Sequence, residues 1–220
     1  MKNTPTKQRL VDLIGLDAIE NCASIEEPTE IEGWCDTETL ADEIRRYAPK
    51  IAVEIGTWKG RSACAIAEAM PEDSCLICID TFTGSFEHWI TPEYREQLKE
   101  GLLNAFRRNV AARNLQHKII ALPLPSDLAL RILAHYQIKV DLFWVDGSHE
   151  ENQVKRDLMN AFRLLAPGGT LLGDDLDWDS VSSAVLTCAA TLEGCSLISK
   201  PLANFTTFGD NGRCYKFSTK

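Results

Sequence analysis

The stretch Val140-Asp141-Leu142-Phe143-Trp144-Val145-Asp146-Gly147-Ser148-His149 ends an apolar run abruptly in an acid. Val140–Val145 is too short for a stable helix, and its branched and aromatic residues suit a buried strand. A second run, 170–173, follows the turn Pro167-Gly168-Gly169 and ends in the adjacent acids Asp174 and Asp175. In an open parallel α/β sheet, residues just past the carboxyl ends of strands face the ligand crevice. Carboxylates delivered there from two strands form a donor set for a hard divalent cation. The stretch therefore reads as part of an enzyme site.

Outward from it the pattern alternates. Strands are expected at Ile51–Ile55, 76–79, 118–122, Val140–Val145 and 170–173. Helices are expected at Arg61–Ala69, 92–113, 126–136, 151–165 and 180–192, with a long segment at 81–91. Strands separated by helices of this length indicate βαβ units and a parallel sheet. Two last strands, near 196–200 and 213–217, are joined by a short connection, which favours an antiparallel hairpin at the sheet edge. The fold expected is a doubly wound, mostly parallel α/β sheet with that C-terminal hairpin. Before it lies a helix at Thr37–Tyr47, with Thr37 as cap and Leu40, Ile44 and Tyr47 on one face, ended by Pro49. Residues 1–36 form an N-terminal extension with a short helix at 6–14, and 37–220 form one domain.

Bulk properties exclude several classes. A net charge of −9 disfavours a nucleic-acid partner held through phosphates, and Arg107-Arg108 with Arg113 reads as a solvated helix face. There is no apolar run long enough to span a membrane and no signal-peptide core, so a cytoplasmic location is expected. Of the eight cysteines, Cys64, Cys75 and Cys78 lie in apolar patterns and read as buried thiols. Cys75-Leu76-Ile77-Cys78 has metal-like spacing, but positions three apart on a strand point to opposite faces. Asp175-Leu176-Asp177-Trp178-Asp179 imitates a calcium loop, yet Ser180 and Leu186 stand where that loop needs Gly and Glu. Asp177 or Asp179 is instead expected to cap the following helix.

The cofactor half is carried by Val53-Glu54-Ile55-Gly56-Thr57-Trp58-Lys59-Gly60-Arg61-Ser62, which follows the first strand and opens a helix. Gly56 permits a tight turn and Gly60 a close approach of a ligand to the helix start. Trp58 stands where the dinucleotide fingerprint has its second glycine, so a pyrophosphate is disfavoured. Asp80, at the tip of the second strand, is placed to accept hydrogen bonds from a ribose diol. With Glu54 it makes a negative rim that suits a sulfonium and an ammonium group.

These motifs, with Ile77-Cys78-Ile79-Asp80-Thr81-Phe82-Thr83-Gly84, resemble class I S-adenosylmethionine-dependent methyltransferases, in particular the family 24 branch. The resemblance spans roughly residues 37–200 and implies a Rossmann-like methyltransferase sheet. It implies S-adenosylmethionine as cofactor, with Glu54, Gly56, Thr57, Gly60 and Ser62 around the methionine moiety. Asp80 would hold the ribose, Thr81 or Phe82 would flank the adenine, and Ser126 would contact it, although Pro123 and Pro125 depart from the pattern. Catechol-type and macrocin-type O-methyltransferases are similar in three acids, matched by Asp146, Asp174 and Asp175. Those enzymes carry magnesium there, so Mg2+ or another divalent cation is implied, with Asp146 shared by cofactor and acceptor. His149 stands where catechol-type enzymes place a lysine base, and as a general base it would take the acceptor's proton.

The expected reaction is methylation of a small-molecule hydroxyl, sugar or phenol-like, with residues 83–103 as a candidate lid over the acceptor. A metal-free small-molecule methyltransferase, a nucleotide-linked oxidoreductase and a non-catalytic S-adenosylmethionine-binding protein are the alternatives. The sequence leaves the oligomeric state open, a homodimer included.

Overall fold

Apolar runs rich in Ile, Val, Leu and aromatics fit the two-sided burial of a central parallel strand, and they build the middle of this protein. The computed structural model describes residues 2–19, 36–99, 101–194, 202–209 and 212–219. In chain order the elements are α1 (Pro5–Ile14), α2 (Thr37–Tyr47), β1 (Ile51–Ile55), α3 (Arg61–Ala69) and β2 (Cys75–Asp80). Then come α4 (Phe86–Ile90), α5 (Pro92–Leu98), α6 (Leu102–Ala112), β3 (Ile119–Pro123), α7 (Ser126–His135) and β4 (Val140–Val145). α8 (Glu151–Leu164), β5 (Leu165–Gly173), α9 (Asp179–Gly194), β6 (Leu202–Phe208) and β7 (Cys214–Thr219) complete the fold.

The sheet order is β3-β2-β1-β4-β5-β7-β6. β1 to β5 run parallel, and β7 is antiparallel to both β5 and β6. Strand order reverses between β1 and β4, which opens a crevice at their carboxyl ends. Register makes that crevice chemically dense. Ile55 pairs with both Ile79 and Val145, and Val145 with Gly173. The next residue on each strand is therefore Gly56, Asp80, Asp146 or Asp174, side by side along one edge.

Alternate residues fill two cores. Val53, Ile55, Ile77, Phe143 and Val145 face α7, α8 and α9, while Ala52, Leu76, Cys78, Leu142 and Trp144 face α2, α3 and α6. Cys75 and Cys78 fall in opposite cores and are free thiols, as strand geometry requires. No helix among the described residues is long and apolar enough to cross a membrane.

Several boundaries differ from expectation. Asp36, not Thr37, caps α2, its Oδ1 accepting from the Thr39 N–H at 3.2 Å. The single helix expected at 92–113 is broken once, and α6 starts after Gly101, whose φ is 77°. β6 occupies what reads in the sequence as the connection before β7, and the strand expected near 196–200 lies outside the described residues.

The described part of the N-terminal extension docks on the sheet. Leu10 enters the core, and Lys7 Nζ pairs with Asp17 Oδ2 at 2.6 Å and donates to the Gln116 carbonyl at 2.7 Å. Asp17 Oδ1 accepts from the N–H groups of Ile19 at 2.9 Å and Ala121 at 3.3 Å. Both charged side chains are buried. Removing one partner of a buried pair strands the other charge, so Asp17→Ala is expected to lower stability by about 3–5 kcal/mol in urea unfolding. The double variant Lys7→Met/Asp17→Asn should recover most of that loss. A loss under about 1 kcal/mol for the single variant would contradict the anchor.

Candidate active site

The turn after β1 is forced to glycine by a neighbour. Gly56 has φ +85°, and a Cβ there would sit 2.0 Å from the Asp146 carbonyl oxygen. The loop then bends under one carboxylate. Asp80 Oδ2 accepts from the N–H groups of Thr57 at 2.8 Å and Trp58 at 2.9 Å, and Oδ1 from that of Phe82 at 2.6 Å. Trp58 and Phe82 both hold left-handed backbone, with φ 49° and 55°. The bend stacks the Trp58 indole on the His88 imidazole, centroids 4.4 Å apart.

Glu54 sits behind this loop. It is fully buried, accepting from Ser62 Oγ at 2.5 Å and Thr57 Oγ1 at 3.0 Å. Burial raises its carboxyl to about 7, against the lowering effect of those hydroxyls. Glu54 is absent from the cleft wall, whereas Gly56, Thr57, Ser62, Asp80, Thr81, Ser126 and Asp146 line it. In this structure Glu54 thus shapes the loop from behind. Two further residues sit away from the cleft wall. Phe82 turns into the core against Phe106, leaving Thr81 on the wall. Gly60 makes its close approach to the Phe106 ring, which would lie 2.7 Å from a Cβ, and not to the cleft.

The cleft measures about 790 Å3. At one end Ser126 Oγ donates to Asp157 Oδ1 at 2.6 Å, and Gln153 Nε2 donates to the same oxygen at 3.0 Å. Burial raises the Asp157 carboxyl to about 6. Sequence reasoning missed Asp157, although a carboxylate among Val154, Leu158 and Ala161 on the buried stripe of α8 was a visible signal.

The other end gathers the acids. Asp146 follows β4 and its N–H donates to the Ile55 carbonyl at 2.8 Å. Burial, then the charges of Asp175 and Asp174, holds its carboxyl well above the usual range. Asp174 Oδ1 accepts from Arg213 Nε at 3.1 Å, and Asp175 Oδ1 accepts from Arg213 Nη2. Asp175 Oδ2 lies 2.8 Å from His149 Nε2. Burial raises the Asp175 carboxyl, but His149 and Arg213 outweigh it and the net shift is downward. Asp177 lies 3.7 Å from Arg213 Nε.

His149 differs from the free base expected. Its Nδ1 faces Glu87 Oε1 at 3.0 Å while Nε2 faces Asp175, and its ring stacks on Trp178 with centroids 4.3 Å apart. Burial lowers its pKa, but the two carboxylates overrule that and raise it to about 10. With one nitrogen bonded to Asp175 and the other facing Glu87, the raised pKa favours the protonated ring, which has no lone pair for an acceptor's proton. Glu87 belongs to α4, so this clamp ties the candidate lid to the β4 end.

The expected divalent cation does not fit this arrangement. Among the described residues no acid, His or Cys cluster has metal-holding geometry. Asp174 Oδ1 is taken by Arg213, and the two oxygens of Asp175 by Arg213 and His149.

Comparison with known proteins agrees with this geometry. A family model described as a methyltransferase domain matches residues 53–176, more than half of the chain. The chain belongs to this methyltransferase family, the family 24 branch that its motifs resemble. No curated protein matches it at the sequence level. Among solved structures it is similar to an O-methyltransferase from Bacillus cereus in complex with S-adenosylhomocysteine. Identity is 15%, coverage 98% of this chain and 97% of that one, and the TM-score 0.62. It is also similar to TomG, the O-methyltransferase of tomaymycin synthesis from Streptomyces achromogenes, solved with S-adenosylmethionine. Here identity is 16%, coverage 98% and 96%, and the TM-score 0.63. A candidate rRNA methylase from Clostridium thermocellum has 12% identity, coverage of 86% and 100%, and a TM-score of 0.58. The likeness establishes the class I methyltransferase fold, and that spread of described activities keeps the fold from naming the acceptor.

Two titrations test the site. Because the folded Glu54 carboxyl titrates near 7 and the unfolded one near its ordinary 4.5, its stabilisation is fully present below about 4.5 and is lost as pH rises through about 7. The melting temperature of the wild type should therefore fall relative to Glu54→Gln across that window, and parallel curves would contradict it. For His149 the stabilisation is present below about 6.5 and lost as pH rises through about 10. Its imidazole carbon resonances should stay those of the doubly protonated ring through about pH 8. A midpoint near the free-histidine value would dissolve the clamp.

Proposed function

We propose that the protein transfers a methyl group from S-adenosylmethionine to a hydroxyl of a small molecule. The observation that carries this reading is the Asp80-pinned loop, which opens onto a cleft whose far end holds Asp146. Asp80 uses three of its four acceptor positions on backbone N–H groups, leaving acceptor capacity for a ribose hydroxyl. Trp58 removes the close backbone approach that a pyrophosphate needs. Ser126, Gln153 and Asp157 supply polar groups for the adenine edge. The two O-methyltransferases holding S-adenosylhomocysteine or S-adenosylmethionine on this fold support the same donor.

S-adenosylmethionine supplies an activated methyl group on a positive sulfur. The protein's part is to place the acceptor oxygen in line with that methyl and to receive the hydroxyl proton. As the C–S bond breaks and the O–C bond forms, the sulfonium becomes a neutral thioether and the proton passes to Asp146, which takes this part only in its deprotonated form; its raised pKa makes that form a strong base and ties turnover to rising pH. Asp146 is assigned this role because it lines the acceptor end of the cleft and the bonds of Arg213 go to Asp174 and Asp175 instead. His149 is a positioning residue, holding Asp175 and the α4 segment. Phe86 and Trp178, 67% and 45% exposed at the mouth, favour an acceptor with an apolar or aromatic face. The charge of −9 favours a small acceptor over a nucleic acid. Five buried free thiols among the described residues fit a reducing, cytoplasmic setting.

Radiolabelled S-adenosylmethionine offered with a panel of phenols and glycosides tests the reading. Asp146→Asn is expected to lower kcat at least 100-fold, within the range general-base removal produces, while S-adenosylhomocysteine affinity changes by less than about tenfold. Wild-type turnover retained in that variant would remove Asp146 from the chemistry.

A further inference from the structure

The cation at the acceptor end comes from the chain itself. Arg213 precedes β7, and β7 lies antiparallel beside β5. That pairing swings its guanidinium across the end of β5, onto the two acids that follow the strand. Nε bonds Asp174 at 3.1 Å, Nη2 bonds Asp175, and Asp177 stands 3.7 Å from Nε. The Arg213 side chain is two-thirds buried and lines the cleft. Asp175 is held there in left-handed backbone, φ 64°, with its other oxygen on His149. Two anionic side chains buried this deeply require compensating charge, and a fork of N–H donors supplies it with fixed geometry.

We infer that Arg213 is the built-in cation of this site, occupying the place between Asp174 and Asp175 where a divalent ion would otherwise sit, so that the protein works without a metal. A guanidinium differs from an ion in being tethered: it cannot be chelated away or exchanged. It also cannot accept an acceptor oxygen as a ligand, so the acceptor is held by hydrogen bonds and apolar contacts only. Arg213 therefore acts through the acids it positions.

The inference builds on the proposed acceptor end, but its test reads metal binding directly and does not need turnover. Mn2+ is titrated into the full-length wild type and into Arg213→Ala, followed by the loss of the free-ion electron paramagnetic resonance signal. The wild type should bind no stoichiometric Mn2+. The variant, with its carboxylates freed, should bind one Mn2+ at least roughly tenfold more tightly. Stoichiometric binding by the wild type overturns the inference. So does failure of a folded variant to gain any affinity, because Arg213 would then not be standing in a cation's place. Arg213→Leu, which keeps part of the buried stem, serves if the alanine variant does not fold, and the wild-type titration decides independently. If methyl transfer is detected, EDTA should leave the wild-type rate unchanged, and a loss restored by Mg2+ overturns the inference. Absence of all methyl transfer alongside the expected Mn2+ result would count against the proposed function and not against Arg213.

Discussion

One carboxylate organises the cofactor end of this protein. Asp80 accepts hydrogen bonds from the backbone N–H groups of Thr57, Trp58 and Phe82, tying the loop after β1 to the tip of β2. Two of those residues sit in left-handed backbone, each costing about 1–3 kcal/mol for a non-glycine residue. Hydrogen bonds to an ionised group contribute about 1.5–3 kcal/mol each, so three of them offset two strained residues. The consequences spread outward. Trp58 is thrown onto His88 in the α4 segment, Phe82 is thrown into the core, and Thr81 is left on the cleft wall.

A second constraint is the register of the sheet. Four neighbouring strands end at the same level, so Gly56, Asp80, Asp146 and Asp174 form one row. Four such positions with three acids would repel one another. The fold handles each charge differently: Asp80 is neutralised by backbone donors, Asp174 and Asp175 by Arg213 and His149, and Asp146 carries a strongly raised pKa. That asymmetry separates a cofactor end from an acceptor end along one cleft.

Much of this was legible in the sequence because it depends on local rules. Apolar runs ending in Asp80, Asp146 and Asp174 marked strand ends, and Gly56 marked the turn. The parallel sheet followed from the alternation, and the short last connection implied the antiparallel hairpin. What escaped depends on partners far away along the chain. His149 reads as a free base from its spacing, yet Glu87 and Asp175, on different loops, make it a cation. Arg213 carries no local signal at all, because its role arises only when β7 lies beside β5. The metal expectation goes without support for the same reason: three acids at matching positions say nothing about a guanidinium 38 residues on from Asp175. Of the pair Thr81 or Phe82, it is Thr81 that lines the cleft, because the left-handed backbone of Phe82, set by Asp80, turns its ring inward.

Calorimetric titration of S-adenosylhomocysteine tests the central claim that the Asp80-pinned loop is the cofactor site. The wild type should bind one equivalent, and Asp80→Ala, folded by circular dichroism, should lose the binding. Undiminished affinity in that variant, or no binding by the wild type, would contradict the account.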